Sequence, residues 1–337
     1  VTARITASVR ITDASAVAEA RRAALQCAEA SKLGETSAAR AALVATELAT
    51  NLVKHVDGGS LLFGEESDGK TITITSIDKG KGIANVRLAM SDGFSTAGSP
   101  GTGLGAVERA SISVGVYTLP AKGTIVHCVV GDSAPPPASP LLSGPRFSVA
   151  GVGIPKQGET ANGDAWSSVE MGNTLTIGVA DGLGHGPMAA TASIAAARVF
   201  ASGGETPLER LLEDAHGALR STRGAAVGVA RIHGDLGRVD FIGVGNIAGT
   251  IVNDSGTRKV VSLPGIVGHE MRKLQTFSYP WDSASTLILQ SDGISANWSV
   301  ASYPGLMQRE PATIAAALFR DHCRGTDDAT VVVAKAG

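Results

Sequence analysis

Between Gly131 and Pro145 the chain reads GDSAPPPASPLLSGP, with prolines at Pro135, Pro136, Pro137, Pro140 and Pro145. Proline fixes its own φ and has no amide donor, so neither a helix nor an interior strand can run through this stretch. It reads as a semi-rigid linker. The chain of 337 residues is thereby divided into segments of about 130 and about 190 residues, each long enough to bury its own core. The expected domains are residues 1–131 and 146–337, joined by residues 132–145. No internal repeat relates the two.

Composition narrows the class. Hydrophobic residues make up 43% and charged ones 18%, which excludes disorder over most of the chain. Aromatics are 4% against 42 glycines, so the cores must be built from small and branched aliphatic side chains. Lys plus Arg is 29 and Asp plus Glu is 31, a formal net charge of −2. That balance argues against a nucleic-acid binder relying on a basic field. Cys27, Cys128 and Cys323 form no Cys-x-x-Cys pair, so neither a zinc site nor a disulfide framework is expected. The N-terminus, Val1-Thr2-Ala3-Arg4, alternates like a strand rather than a secretory leader. No run of about 18 uncharged apolar residues occurs. The expected setting is cytoplasmic, with no membrane and no nucleic acid as partner.

The first segment opens on an alternating strand around Ile5 to Ile11. Asp13 can cap a helix reaching about Lys32, with Gly34 as its stop. A second helix starts at Thr36 or Ser37 and runs to about Val56. Strands follow at Leu61 to Glu65 and Thr71 to Ile77, joined by an Asp68-Gly69 turn. A short helix near Leu104 to Ala110 and two strands ending at Val130 complete an α+β layer, with helices against a mostly antiparallel sheet.

On the second helix Ala41, Ala45, Leu48 and Leu52 form an apolar stripe. Glu47, Asn51 and His55 recur at i, i+4 and i+8 and share another face. Taken alone, that row fits a solvated surface as well as a site. The Gly-rich loops shift the balance. Asp78 ends an apolar strand and precedes Lys79-Gly80-Lys81-Gly82-Ile83. Farther on, Gly101-Thr102-Gly103-Leu104-Gly105-Ala106 opens a helix. Glycines there let backbone amides approach a phosphate, helped by the helix dipole. No strand directly precedes the G-x-G-x-G, so a Rossmann reading fails on context.

ATELATNLVKH, DKGKGI and GTGLGA, in that order and spacing, resemble the GHKL ATPases, and among them the RsbT and RsbW switch kinases. The resemblance covers nearly all of residues 1 to 130 and implies a Bergerat α/β sandwich that binds ATP with Mg2+. It implies that Asn51 holds the Mg2+, that Glu47 is the general base, and that Asp78 accepts a hydrogen bond from the adenine amino group. Gly80 and Gly82 would let backbone approach the nucleotide, and Gly101, Gly103 and Gly105 would flank the phosphates. The stretch from Ile83 to Gly101, with Ser91, Asp92, Gly93 and Ser95, reads as an abbreviated lid. His55 is assigned a packing role at the helix end.

In the second segment strands are expected at Phe147 to Ile154, Leu175 to Ala180, Ala225 to Ile232, Arg238 to Gly243, Ala248 to Val252, Thr286 to Gln290 and Thr330 to Ala334. Helices are expected at about Pro187 to Ala201, Pro207 to Ser221 and Pro311 to Cys323. Acids punctuate the strands. Asp181-Gly182 follows one, Ser291-Asp292-Gly293 follows another, and Asp327-Asp328 precedes a third. Asp164 lies in a Gly turn upstream. A single Asp-Gly after a strand reads as a turn. Two carboxylates within ~4 Å repel by about 4 kcal/mol at an effective dielectric of about 20, and a hard divalent cation relieves that.

GDAW, ADGLGHG, QSDGI and TDDATVVV together resemble the PPM serine/threonine phosphatases of the SpoIIE and RsbX branch. The resemblance implies an αββα sandwich with two Mn2+ or Mg2+ ions at one sheet edge. Asp181 would bridge both ions, the Gly182 carbonyl would bind one, and Asp292 and Asp327 would complete the other site. Asp164 would act directly or through water. Asp328 is left outside the ligand set, and Gly163 stands where many eukaryotic relatives carry an acid. His185 is assigned to loop structure.

The two resemblances imply a bifunctional partner-switching regulator that adds phosphate to, and removes it from, Ser or Thr of a STAS-domain protein. An alternative is an anti-sigma module that sequesters a sigma factor, attached to a phosphatase. A nucleotide sensor that only regulates the phosphatase is a third reading. GHKL relatives also imply a homodimer, although no zipper-like stripe carries it here.

Overall fold

The computed structural model describes residues 2–90, 103–132, 147–271 and 273–337. Gly101, the residues Ser91, Asp92, Gly93 and Ser95 of the expected lid, and all of the proline-rich linker but Asp132 lie outside the described residues. The chain partitions into two compact units, one of Ala3–Leu141 with Gln308–Arg320, the other of Val1–Thr2, Leu142–Met307 and Asp321–Gly337. The stretch Gln308–Arg320 comes from the second sequence segment yet groups with the first unit.

In order, the N-terminal elements are β1 (Thr2–Ile11), α1 (Ala14–Ala30), α2 (Glu35–His55), β2 (Gly59–Glu66), β3 (Thr71–Ile77), α3 (Val86–Met90), α4 (Gly103–Ala110), β4 (Ser113–Leu119) and β5 (Gly123–Gly131). The strands lie side by side as β1-β2-β3-β5-β4, every pair antiparallel. Asp13 caps α1 by accepting from the Ser15 amide. Buried Ala16, Ala20, Ala24 and Ala28 give α1 a stripe of small side chains at i+4 spacing, which lets it lie close to its neighbours. Ala41, Ala45, Leu48 and Leu52 of α2 share one core with Ile72, Ile74, Val126 and Cys128 of the sheet. The β2–β3 turn works as read: Gly69 takes φ +62°, and Asp68 Oδ1 accepts from the amides of Lys70 and Thr71. Helix α3 was not expected. Asn85 Oδ1 starts it by accepting from the Leu88 amide at 3.0 Å.

The C-terminal elements are β6 (Phe147–Ile154), β7 (Asp164–Met171), β8 (Thr174–Gly182), α5 (Pro187–Ser202), α6 (Leu208–Leu219), β9 (Ala225–His233), β10 (Arg238–Val244), β11 (Ala248–Asn253), β12 (Gly256–Lys259), β13 (Phe277–Pro280), β14 (Thr286–Gln290), α7 (Pro311–His322) and β15 (Ala329–Ala336). One sheet runs β13-β10-β9-β8-β7, and a second set of strands runs β12-β11-β14-β15-β6. Trp166, Ile177 and Phe241 of the first meet Val149, Leu287, Leu289 and Val332 of the second in one core. Phe200 of α5 and Leu212 and Ala215 of α6 pack on Val227 and Val229 on the other face of the first sheet. Stacked antiparallel sheets with helices packed on them are the α+β architecture that the run of strands with clustered helices, and the resemblance, led us to expect.

Strands β7, β12 and β13 were not expected. The omission of β7 matters most: Asp164 does not sit in a turn but opens this strand. The polar sequence DAWSSVEM hid it.

Gly178 of β8 lies under Phe200, and a Cβ there would collide with the ring. Gly178→Ala is therefore expected to destabilise by about 1–3 kcal/mol through overpacking. Phe200→Ala, which empties the same contact, is expected to cost about 3–5 kcal/mol. Denaturant unfolding of both variants checks the pairing; unchanged midpoints would refute it.

Candidate functional site

The N-terminal unit carries a cavity of about 450 Å³. Glu47, Asn51 and His55 of α2 line one side of it. Successive members of this row rise about 6 Å along the helix. Asp78 and Thr124 line it from the sheet, Lys81, Gly82 and Ile83 from the loop after β3, and Gly103 and Leu104 from the start of α4. Leu48, Leu52, Leu88 and Val126 add an apolar floor. A mostly apolar pocket with a few convergent polar groups is the usual form of a small-molecule site.

Asp78 is the most constrained of these residues. Its amide donates to the Thr124 carbonyl at 3.0 Å, and its Oδ1 accepts from the Gly80 amide at 2.7 Å. Burial pushes its carboxyl above the usual range; the Gly80 and Thr124 backbone contacts and the charge of Arg320 pull the other way. Gly82 holds φ +79°, and a Cβ there would meet the Leu119 carbonyl. Gly80 does not line the cavity; it braces Asp78 instead. Gly105 is buried in the first turn of α4 rather than lining the cavity. His55, assigned to packing, lines the cavity and is exposed. Its place on the Glu47–Asn51 stripe was the signal for it.

The second cluster lies where the two stacked sheets end together. Asp164 and Asp181 are direct cross-strand partners on β7 and β8, so both carboxylates leave the same face of the sheet. Asp292 follows β14, and Asp327 and Asp328 precede β15, its antiparallel neighbour. Ser291 joins the two sheets. Its hydroxyl donates to Asp164 Oδ2 at 2.6 Å and accepts from the Thr330 amide at 3.0 Å. Asn246 Nδ2 donates to Asp292 Oδ2 at 2.8 Å, and Asn162 Oδ1 accepts from the Asp164 amide at 2.9 Å. These three polar residues were not singled out in the sequence. Only Ser291, inside QSDGI, lay within a recognised motif.

Burial pushes the Asp181 carboxyl up to about 8, reinforced by the charges of Asp164, Asp292, Asp327 and Asp328. Asp164, 5% exposed, is pushed up to about 7 by burial, with Asp328 and Asp292 adding to it and hydrogen bonds from Ser291 and Thr330 opposing it. Asp292 is raised by burial and by Asp327, and Arg324 offsets part of this. Asp328 belongs to the cluster. It is 3% exposed, its Oδ1 accepts from the Lys156 amide, and its Oδ2 is buried without a partner. A Cβ at Gly163 would run into that same Oδ2, which explains the glycine: Asp328 fills the room a side chain at 163 would need. His185 Nδ1 lies 2.6 Å from Glu159 Oε1 on the loop after Gly182.

Among the described residues, no three His, Cys, Asp or Glu side chains close around a single point tightly enough to hold an ion as they stand. The donor chemistry nevertheless fits a hard divalent cation. It is all oxygen, it is crowded with like charge, and it includes the unpartnered Asp328 oxygen.

Comparison with known proteins places each half of the chain. Residues 11–130 match the family model of the histidine kinase-like ATPase domain, and residues 171–337 match that of stage II sporulation protein E (SpoIIE). The chain joins one domain of each family. The serine/threonine-protein kinase RsbT of Bacillus subtilis is 29% identical over 123 residues, 36% of this chain and 92% of RsbT. The phosphoserine phosphatase RsbX of the same organism is 25% identical over 142 residues, 42% of this chain and 71% of RsbX. A solved chain described under the bacterial stressosome, "a modular system that has been adapted to control secondary messenger signaling", superposes with a TM-score of 0.54 at 27% identity, covering 56% of this chain and all of that one. RsbX solved in complex with magnesium gives a TM-score of 0.51 at 21% identity, covering 57% of this chain and 96% of that one, and shows the shared fold. The chain is thus an enzyme with a serine/threonine phosphatase domain and a kinase-type ATPase domain. SpoIIE-type phosphatases use Mn2+ or Mg2+, and the ATPase family binds ATP. Among the described residues no helix is long and apolar enough to cross a membrane.

The crowding of acids has a measurable signature. In metal-free protein Asp164 and Asp181 keep their protons up to about pH 7 and about pH 8, whereas the unfolded chain ionises its aspartates near about pH 4. Raising the pH between those limits therefore favours the unfolded chain. Chelator-treated protein is expected to melt at a lower temperature at about pH 8 than at about pH 5, with Asp181→Asn flattening the difference. A melting temperature that climbs over that range would contradict the crowding.

Proposed function

We propose that this chain is a partner-switching regulator that phosphorylates and dephosphorylates Ser or Thr of a STAS-domain protein in the cytoplasm. The observation that carries the proposal is the coexistence in one chain of the Glu47–Asn51–Asp78 cavity and the five-aspartate cluster. RsbT and RsbX, each similar to one half, are a serine/threonine-protein kinase and a phosphoserine phosphatase.

In the first site ATP enters with Mg2+. Asp78 would accept from the adenine amino group, Asn51 would hold the Mg2+, and Glu47, one helical turn earlier, would take the proton from the substrate hydroxyl. Gly82 and Gly103, on the wall of the cavity, keep the backbone close to the nucleotide and its phosphates, while Gly80 braces Asp78. Phosphoryl transfer asks little covalent chemistry of the protein, so positioning and charge neutralisation carry the rate.

In the second site Asp181, the Gly182 carbonyl, Asp164, Asp292 and Asp327 are the residues that would hold two Mn2+ or Mg2+ ions. When bound, such ions supply a water activated near neutral pH and neutralise phosphate oxygens. The chain's own contribution is to hold the carboxylates in place. Ser291 ties Asp164 to β15, and Asn246 orients Asp292.

Phosphate bookkeeping on a candidate STAS-domain protein tests the reading. Glu47→Ala is expected to abolish addition, lowering it by a factor of about 10² or more, while removal continues. Asp181→Ala is expected to abolish removal while addition continues. Loss of both activities in either variant, or of neither, would sink the reading. Stable capture of a sigma factor by the full chain, without turnover on the STAS-domain protein, would favour sequestration instead.

A further inference from the structure

Asp78 is fixed by more than its own loop. Arg320 Nη1 donates to the Asp78 carbonyl oxygen at 3.0 Å. Arg320 is 8% exposed and lies near the end of α7, about 240 residues downstream, yet it belongs by packing to the same compact unit as Asp78. The other side of that carbonyl is closed as well. Gly123 holds φ +87°, and a Cβ there would strike the Asp78 oxygen, so no side chain can enter and displace the contact. The Asp78 backbone is thus held through its amide by Thr124 and through its carbonyl by Arg320, while its carboxylate is braced by Gly80.

The opposite end of α7 is fastened to the same sheet. Glu310, at the start of the helix, accepts from the amides of Thr313 and Ile314 through its backbone carbonyl. Its carboxylate packs over Gly115 of β4, where a Cβ would collide with it. Buried His127 of β5, hydrogen-bonded to Thr75 of β3 at 2.8 Å, feels the Glu310 charge. The helix therefore lies against β4 and close to His127 of β5 at its start, and meets Asp78 near its end.

We infer that Arg320 is a positioning residue for the nucleotide site: through the Asp78 carbonyl it aims the Asp78 carboxylate at the purine amino group, so that recognition of the base depends on a helix encoded within the SpoIIE-matching segment. The inference rests on the reading of Asp78 as the adenine acceptor. Its physical basis is that a charged donor on a buried carbonyl is worth more than a neutral one, and that a guanidinium near a buried carboxylate favours the charged, accepting form.

The test uses the full chain and measures binding of ATP, GTP and inorganic tripolyphosphate by calorimetry, with the melting temperature of each variant recorded. Arg320→Met keeps most of the stem's packing and removes the donor. It is expected to weaken ATP binding about tenfold while leaving tripolyphosphate binding unchanged, so that discrimination between ATP and GTP shrinks. Arg320→Lys, which keeps the charge, is expected to fall between Met and wild type. In phosphorylation assays the Met variant should raise the KM for ATP and leave kcat at saturating ATP intact. Equal ATP affinity across wild type, Lys and Met would overturn the inference. So would equal loss of ATP and tripolyphosphate binding, which would mean that the pocket as a whole had loosened. Asp78→Asn separates the two layers. If it binds ATP like wild type, the adenine reading itself fails; if it loses ATP while the Arg320 variants do not, only the inference fails.

Discussion

Like charges held together at the edge of a sheet sandwich are the constraint around which the C-terminal unit is organised. Asp164 and Asp181 face each other across two strands, and Asp292, Asp327 and Asp328 arrive from the second sheet. Free chains would never gather these groups. Here the cost is met by the core beneath them, where Trp166, Phe241, Leu289 and Val332 are all but fully buried. Ser291 and Asn246 then limit how far the Asp164 and Asp292 carboxylates can swing apart, and Asn162 holds the Asp164 backbone. Apolar packing thus does work on the site: it holds acids in a state that solvent alone would disperse, and the raised affinity of Asp164 and Asp181 for protons is the trace of that work.

The N-terminal unit solves a different problem. A nucleotide needs an apolar slot, a base reader and a place for phosphates, and these come from three elements that barely differ from ordinary core elements. Helix α2 buries Leu48 and Leu52 in the core and turns Glu47, Asn51 and His55 to the cavity. Strand β3 is buried throughout, and the first residue beyond it is Asp78. The extensive use of alanine and glycine makes this possible. Small side chains on α1 and α2 bring helices and sheet close, leaving the larger Leu48, Leu52 and Leu88 to shape the slot.

How much of this could be read from the chain depended on the kind of signal. Helix α2 carried two independent periodicities, and both survive in the fold. The acids after β8 and β14 stood at the ends of unmistakable apolar runs. Strand β7 was hidden because its exposed end, Glu170 and Met171, and its serines dilute the alternation, and with it went the pairing of Asp164 with Asp181. Asp328 was set aside by analogy, yet the tight fit between its carboxylate and Gly163 explains the departure at 163 that had looked like a missing ligand. Ser291 and Asn246 act through tertiary contacts alone, and no local pattern announces such residues. Nor could spacing foretell that residues 308–320 pack with the first unit: Arg320 and Asp78 are linked by a hydrogen bond to a main-chain oxygen, which leaves no mark on side-chain pattern.

The two sites differ in the sign of charge they offer a phosphate, and that difference sets the order in which each can work. The first cavity balances Glu47 and Asp78 with Lys54 and Lys81 along its wall. A polyphosphate can approach it with a single Mg2+ of its own. The second site gathers five aspartates, and the guanidinium whose charge offsets Asp292 is that of Arg324. A phosphorylated side chain arriving there without cations would meet the repulsion of whichever of these acids are ionised, about 4 kcal/mol for each charge within ~4 Å at an effective dielectric of about 20. On the proposed function, cations at the second site would neutralise these acids ahead of a phosphate, whereas at the first they would come with the nucleotide. Divalent-ion supply would then act on the two proposed reactions through different steps, so that opposed chemistries in one chain would not respond to the same ion in the same way.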